Sequence, residues 1–475
     1  MEKKTKIVAT ISDMNCGVPF LTELYENGMN VVRLNTAHQT EADSLKVVES
    51  TRKVADDIAL LIDTKGPEIR TRLEDKIVLA EGEVVYIVKE GDKVEGAQYF
   101  ATSYDKFVTD VPVGSSVLID DGETEISIEA VEGDKLKGIV GNAGTIKNKK
   151  SINVPGISFD LPSLTEKDKM FVDFAIKQDL DFIAHSFVRN REDVLEIQEM
   201  LDAAGSKVKI IAKIENHEGV ENIDEILDVV YGVMVARGDL AIELPYEKIP
   251  GIQKMLLNKC IERRKPVIVA TQMLHTMIEN PRPTRAEVSD IANAIFHKAD
   301  AIMLSGETAY GKYPVEAVKT MNKVAVEAEK SRTDYHNAPT AILANETSSF
   351  LAKTAVKTSI KLDVEAIVAD TRSGRTIRNL SGYRGKKVVY AQCYDKRVAR
   401  ELALSFGVCP IYVEKVKGVS FVKGSLEKLV NNGDLKVEHN VVVLGGNYGA
   451  KLGASYIEIG AVSNLIDEFK HRSKA

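Results

Sequence analysis

Gly232-Val233-Met234-Val235-Ala236-Arg237-Gly238-Asp239 is an apolar strand that runs straight into a charged, glycine-containing turn. Its neighbours along the chain are built alike: Ile210-Ile211-Ala212-Lys213-Ile214-Glu215 precedes it and Val267-Ile268-Val269-Ala270-Thr271 follows it. Each of the three finishes on a reactive group. An ammonium, two carboxylates and a hydroxyl delivered from neighbouring strand ends make a rim suited to a divalent metal held together with an anionic substrate. Such a rim points to phosphoryl or enolate chemistry.

Short β-rich runs end near Ile11, Thr36, Lys65, Val188, Glu215, Gly238, Gln272 and Glu307, and amphipathic helical patterns separate most of them. All but one of the intervals are about 23 to 35 residues, the length of a strand plus a helix, and eight such units close a (β/α)8 TIM barrel. The exception follows the third run, roughly Pro67 to Pro155, where Val84-Val85-Tyr86-Ile87-Val88 and Ser116-Val117-Leu118-Ile119-Asp120 alternate between glycine-rich turns. This predicts a small β-barrel domain inserted at the catalytic face, placed to act as a lid. Beyond a helix ending near Arg332, the polar stretch Thr333 to Glu346 reads as a linker. Strand patterns then resume at Ala366-Ile367-Val368-Ala369, Lys387-Val388-Val389-Tyr390, Pro410-Ile411-Tyr412-Val413 and Val441-Val442-Val443-Leu444, as in a separate α/β sheet domain. The expected division is 1–66 and 156–335 for the barrel, 67–155 for the lid and 345–475 for the C-terminal domain.

A chain of 475 residues, 44% apolar and 28% charged, is long enough for two or three domains that each bury a core. The net charge of −7, with both signs interspersed, offers no basic stripe for nucleic acid. Cys16, Cys260, Cys393 and Cys409 show no C-x-x-C spacing, so neither a disulfide framework nor a thiolate zinc site is indicated, and a reducing cytoplasmic setting fits. No apolar stretch approaches the ~20 residues that cross a membrane, and none is expected to.

Glu215 and Asp239 belong to adjacent strand ends, where their carboxylates can converge. Two carboxylates completed by substrate oxygens and water is how Mg²⁺ is usually held. A lone carboxylate at such a place is more often a helix cap or a surface ion pair. Lys213 shifts that balance, because it stands two residues before Glu215 and so on the same strand face. Its ammonium reads either as a structural ion pair or as the fixed charge that stabilises a transferring phosphoryl group. Ala236-Arg237-Gly238-Asp239 presents successive amides that suit a substrate carboxylate or phosphate. Arg33 and Arg70 supply guanidinium groups for phosphate, and Asn35, Asp63 and Thr64 supply hard oxygens for a monovalent cation.

Asp63-Thr64-Lys65-Gly66-Pro67-Glu68-Ile69-Arg70, Lys213-Ile214-Glu215-Asn216-His217-Glu218-Gly219, Met234 to Leu240, Ala270-Thr271-Gln272-Met273, Pro281-Arg282-Pro283-Thr284-Arg285-Ala286-Glu287 and Met303-Leu304-Ser305-Gly306-Glu307-Thr308 are similar, in order, to the signatures of the pyruvate kinase family. The resemblance runs from end to end. It implies transfer of the phosphoryl group of phosphoenolpyruvate to ADP, giving pyruvate and ATP, the last step of glycolysis, by a cytoplasmic homotetramer. It further implies that Glu215 and Asp239 hold Mg²⁺ (or Mn²⁺) and that Arg33 and Lys213 neutralise the phosphoryl group. The turn at Ala236, Arg237, Gly238 and Asp239 would take the substrate carboxylate, and Thr271 would orient the group that protonates the enolate. Asn35, His38, Arg70 and Lys150 fall near the ADP phosphates, with Lys150 reaching from the lid.

The family pattern is departed from at Ser12-Asp13, where Gly-Pro is usual, and at Thr36-Ala37-His38, where Ala37 lacks a hydroxyl that resembles a K⁺ ligand in relatives. Glu68 is the residue typical of K⁺-requiring members, so K⁺ stimulation is expected through Asn35, Asp63 and Thr64, with backbone and either water or Thr36 completing the site. His185 replaces a small residue and reads as a packed, neutral histidine rather than a new base. Thr371-Arg372-Ser373-Gly374-Arg375-Thr376 opens a helix after a strand. It is either a plain cap or similar to the effector loop of regulated members, with Gly445-Gly446-Asn447 as a second wall and a sugar bisphosphate or nucleotide monophosphate as ligand. A lyase of the Mg²⁺-enolate kind leaves the inserted lid and Lys150 unexplained, and a non-catalytic scaffold leaves Lys213, Glu215, Asp239 and Thr271 unexplained.

Overall fold

The structure, a computed structural model, describes residues 3–332, 346–414, 421–446 and 453–472. The linker read at Thr333 to Glu346 lies outside the described backbone except for its last residue, and Asn447 of the suggested second effector wall lies outside it too. Eight parallel strands, Lys6–Thr10, Val31–Asn35, Ala59–Asp63, Phe182–His185, Lys209–Ile214, Gly232–Ala236, Val267–Ala270 and Ala301–Leu304, close into a barrel in chain order. The first pairs with the eighth through Lys6 opposite Ala301.

The runs are mostly apolar on both faces because both are covered, with the charged and polar exceptions gathered near the strand ends. Val8, Leu61, Phe182, Ile211, Met234 and Ile268 fill the interior. Ile7, Val32, Ile62, Ile183, Ala212 and Val269 lie under the surrounding helices. Several of those helices are started by their own side chains: Thr40, Thr165 and Thr284 each form a reciprocal capping box with the residue three positions on.

Each strand ends one to three residues before the position read from the sequence. Lys213 lies within its strand, but Glu215 and Thr271 are the first residues beyond theirs, and Arg237–Glu243 is already a short helix. The displacement has a physical reason. Pairing stops where the chain turns over the mouth, and the polar residues that marked the end of most runs in the sequence lie in those turns, one to three positions beyond the ladder.

The insertion holds a closed seven-stranded barrel and a two-stranded sheet with a separate core that includes Val85, Ile87, Phe100, Phe107 and Leu136. The C-terminal domain is a five-stranded sheet in the order Val408–Tyr412, Val388–Cys393, Ala366–Thr371, Asn440–Gly445 and Tyr456–Ala461. Its last strand is antiparallel and sits at the edge, with Ile459 47% exposed. The four-strand reading missed it, since an edge strand needs less apolar content than a buried one.

The barrel floor is closed from the other domain. Ala403 and Leu404 belong to the C-terminal domain yet pack within the barrel's interior cluster, Leu404 with no exposure. Beside them Arg384 forks onto Asp300, Nη1 to Oδ1 at 2.9 Å and Nη2 to Oδ2 at 2.5 Å, with both side chains buried. The amides of Val267 and Phe406 satisfy the remaining lone pairs at 3.1 and 3.0 Å. Among the described residues, no helix is long and apolar enough to cross a membrane.

Candidate active site

Lys213 is the centre of charge at the mouth. Its Nζ lies 3.0 Å from Asp63 Oδ1, 3.0 Å from Glu215 Oε1 and 2.6 Å from Ser186 Oγ. Burial works to strip its proton, but Asp63 and Glu215 outweigh that, and its pKa is raised above the ordinary lysine value. The ammonium is a permanent cation. Arg33 approaches Asp63 from the other side, Nε to Oδ2 at 2.6 Å, and is steadied by Thr10 Oγ1 at 2.9 Å. Burial presses the Asp63 carboxyl toward its neutral form, Arg33 and Lys213 overcome it, and the pKa falls.

Glu215 and Asp239 carry the opposite signature. Burial pushes Glu215 up to about 7, Lys213 opposes this and Asp239 adds to it. Asp239 is raised as well, by burial first, with Lys213 opposing and Asp121 and Glu68 reinforcing. Apart from its own backbone N–H, the Asp239 carboxylate takes no hydrogen bond or ion pair among the described residues. A buried Glu215 and a half-buried Asp239 that share one lysine are short of positive charge, which is the donor set a hard divalent cation completes. No group of three or more His, Cys, Asp or Glu gathers for a metal among the described residues. The protein side therefore fits Mg²⁺ with two carboxylates, and substrate and water would supply the other oxygens.

Thr271 sits beside them in a strained turn, with φ of +70° at Thr271 and +53° at Gln272, where neither a β-branched residue nor glutamine rests easily. Its Oγ1 accepts from the Gly238 amide at 2.8 Å and donates to the Ala270 carbonyl at 2.6 Å. The Gly238 amide, expected free for a substrate carboxylate, is thus already engaged by the nearest acceptor. The Arg237 guanidinium is turned away from the mouth, onto the carbonyls of Ala270 at 3.2 Å and Thr271 at 2.6 Å and onto Asp290 at 2.6 Å. It braces the strained turn instead of facing substrate.

Two family models match the chain: pyruvate kinase, barrel domain, over residues 2–318, and pyruvate kinase, alpha/beta domain, over residues 349–459. The chain belongs to the pyruvate kinase family. The pyruvate kinase of Borreliella burgdorferi is 47% identical over 98% of this chain and 99% of its own length, and that of Bacillus licheniformis 42% identical over 98% and 81%. The crystal structure of a pyruvate kinase from Cryptosporidium parvum matches with a TM-score of 0.90 at 34% identity, covering 97% of this chain and 96% of that one. The chain is accordingly a phosphotransferase that passes the phosphoryl group of phosphoenolpyruvate to ADP.

The other residues predicted for a pyruvate kinase site divide by place. Asn35 stands opposite Asp63 in register, with Oδ1 accepting from the Ala37 amide at 3.2 Å, while the two Asp63 oxygens are engaged by Arg33 and Lys213. Thr64 does not join them through its hydroxyl, which donates to the Ala184 carbonyl at 3.3 Å and accepts from the Ser186 amide at 3.0 Å. His38 is exposed on the rim. Arg70 pairs with Glu68 and donates to the Lys149 carbonyl at 2.6 Å, and Lys150 pairs with Asp120 at 2.7 Å, so both lid cations are tethered within the lid. Between lid and barrel lies a solvent-open cleft of about 110 Å³ whose walls include Glu68, Asp121, Asn153, His217, Asp239 and Glu243.

His185 has no exposure, and its Nε2 lies 3.3 Å from the Ser163 carbonyl on the face opposite the interior-facing Ala184. Burial holds its pKa below the ordinary histidine value. Ser12, one of the departures, donates to the Ala309 carbonyl at 2.7 Å, so it closes the loop structurally. In the C-terminal domain Thr371 Oγ1 accepts from the Gly374 amide at 2.9 Å, while Arg372, Ser373 and Arg375 are exposed and Thr376 is partly so. Ser186 and Phe187 were missed. A serine and a phenylalanine after a strand carry no chemical mark of their own, and only their contacts with Lys213 and Glu215 bring them into the site.

Proposed function

We propose that phosphoryl transfer takes place at the barrel mouth, with Lys213 and Arg33 as the fixed positive charges that meet the moving phosphoryl group. The observation that carries this is the Lys213 ammonium, 12% exposed at the barrel mouth and set 3.0 Å from the carboxylates of Asp63 and Glu215. A loose transition state spreads negative charge over three oxygens, and preorganised cations in a water-poor site stabilise it more than they stabilise the substrate. Glu215 and Asp239 would hold Mg²⁺ or Mn²⁺, which when bound supplies Lewis-acid neutralisation of the substrate oxygens. The turn at Ala236, Gly238 and Asp239 receives the substrate carboxylate once the Thr271 hydroxyl gives up the Gly238 amide it holds at 2.8 Å. Thr271 orients the proton relay to carbon once the enolate is formed, since a hydroxyl of such high pKa is a poor acid by itself.

Arg70, Lys150 and His38 take the ADP phosphates when the lid carries its cations over the mouth, and the lid excludes the water that competes for the phosphoryl group. K⁺ is assigned to Asn35 and Asp63, supported by their shared register and by Glu68 in place of a lysine. The loop Thr371, Arg372, Ser373, Gly374, Arg375 and Thr376 takes a phosphorylated effector, supported by its exposed guanidinium groups. Exposed Phe350, Leu362 and Ile459 on the C-terminal domain support self-association into a homotetramer. A coupled assay for pyruvate tests the reading, run with the intact chain and with Glu215→Ala and Asp239→Ala. Each substitution is expected to abolish turnover in a folded protein, and undiminished turnover in either overturns the assignment. Full activity with K⁺ replaced by a bulky organic cation overturns the K⁺ site.

A further inference from the structure

Ser186 is 1% exposed and makes a closed set of contacts. Its amide donates to Thr64 Oγ1 at 3.0 Å, and its hydroxyl lies 2.6 Å from the Thr64 carbonyl and 2.6 Å from Lys213 Nζ. A hydroxyl has one proton, and an ammonium has no lone pair to receive it. Of its two acceptors, the Thr64 carbonyl at 2.6 Å and Asp63 Oδ1 at 3.4 Å, the nearer takes the proton, and a lone pair of the oxygen faces Lys213. The next residue, Phe187, has φ of +55° and donates its amide to Glu215 Oε2 at 2.8 Å, which leaves Oε1 for the ammonium. Gly66, at φ of +71°, seats this turn: a Cβ there would stand 2.9 Å from Ser186 Cβ and 2.7 Å from the Phe187 ring.

Lys213 has three protons and three acceptors, Asp63, Glu215 and Ser186. The third acceptor is neutral. A third carboxylate in its place would cancel the field that an incoming phosphoryl group must feel, whereas a hydroxyl fixes the direction of the ammonium and adds no charge. Lys213 can then exchange one carboxylate contact for a phosphoryl oxygen while Ser186 keeps it in place.

We propose that Ser186 is a positioning residue for phosphoryl transfer, acting through Lys213, with Phe187 holding Glu215 in the matching orientation. This rests on the assignment of Lys213 to the phosphoryl group made above. The test uses the full chain as Ser186→Ala, Lys213→Met and the double variant. Ser186→Cys, close in size but a poor acceptor, serves as a second probe should the alanine variant fold badly. Loss of one hydrogen bond to a charged group lowers kcat by roughly tenfold to a hundredfold, with the KM for phosphoenolpyruvate moving less than about threefold because ground-state binding is little touched. In the Lys213→Met background the same change costs less than about twofold, since residues that act as one unit are not additive. Exchange of the pyruvate methyl protons with solvent, which moves no phosphoryl group, stays within about twofold of the parent.

An equal loss in both backgrounds, a parallel loss of proton exchange, or a kcat within twofold of the parent for both serine variants overturns the proposal. Should Lys213→Met by itself leave turnover intact, the phosphoryl assignment fails instead. The two failures are therefore read from different variants.

Discussion

Arg237→Met removes the guanidinium that braces the Thr271 turn while keeping most of the side-chain stem. Thr271 and Gln272 are both held in the left-handed region, at about 1–2 kcal/mol each, or about 2–4 kcal/mol for the turn. Arg237 donates to the carbonyls of Ala270 and Thr271, and two charged hydrogen bonds contribute about 3–6 kcal/mol. With them the turn is stable as observed. Without them what remains is the pair of bonds made by Thr271 Oγ1, about 1 kcal/mol apiece, which no longer exceeds the strain. Asp290, 34% exposed, loses its partner at little cost because water replaces it.

The turn in this variant should relax and carry the Thr271 hydroxyl away from Gly238. A displacement near 1 Å at a reacting centre costs on the order of a hundredfold in rate, so kcat should fall by about that factor. Steady-state kinetics of pyruvate formation, with a thermal scan to confirm folding, measure it. Arg237→Lys retains charge but cannot fork onto both carbonyls, and should fall between the two. A folded Arg237→Met protein with kcat within twofold of the parent would refute the reasoning, because the turn would then be holding itself.

Thr271→Val keeps the branched shape and deletes the hydroxyl; pyruvate formation and methyl-proton exchange should fall together by about tenfold to a hundredfold, and a change confined to phosphoenolpyruvate affinity would remove its orienting role. Arg384→Leu leaves the Asp300 carboxylate buried with only the Val267 and Phe406 amides. It should cost about 3–5 kcal/mol in urea unfolding, and a loss under about 1 kcal/mol would mean that the domain junction does not depend on this pair. His185 is buried and neutral with its pKa lowered, so below the ordinary histidine value of about 6.5 the unfolded chain takes up a proton that the folded chain refuses. Stability then falls with acidification from about that pH down to the folded pKa. His185→Gln should flatten the change in thermal midpoint between pH 7.5 and 5.5, and an unchanged slope would show that other groups produce it.

The barrel was legible because burial on both faces leaves a simple trace, a short apolar run without alternation, repeated at mostly regular intervals. Lys213 and Glu215 were legible as a pair because residues two apart in extended chain share a face, and the structure finds them 3.0 Å apart although Glu215 lies one residue past the strand end. Ser186 was not legible. It reaches Lys213 from the neighbouring strand, and the register that brings His185 beside Ala212 appears only when the strands are paired. Arg237 illustrates the same limit from the other side: its place in a charged turn was plain, but the direction of its guanidinium was decided by carbonyls 33 and 34 residues further on.

By itself the sequence determined the barrel repeat, the position of the insertion, the separate C-terminal sheet and the residue types gathered at the mouth, because periodicity and motif order are local properties of a chain. Only the tertiary structure decided which donor meets which acceptor. The closure of the barrel floor by Leu404 and the Arg384 to Asp300 pair were decided in the same way. Hydrogen bonds and ion pairs act over about 3 Å, and the partners that come within that reach are set by how strands register and domains dock, information that no single stretch of the chain contains.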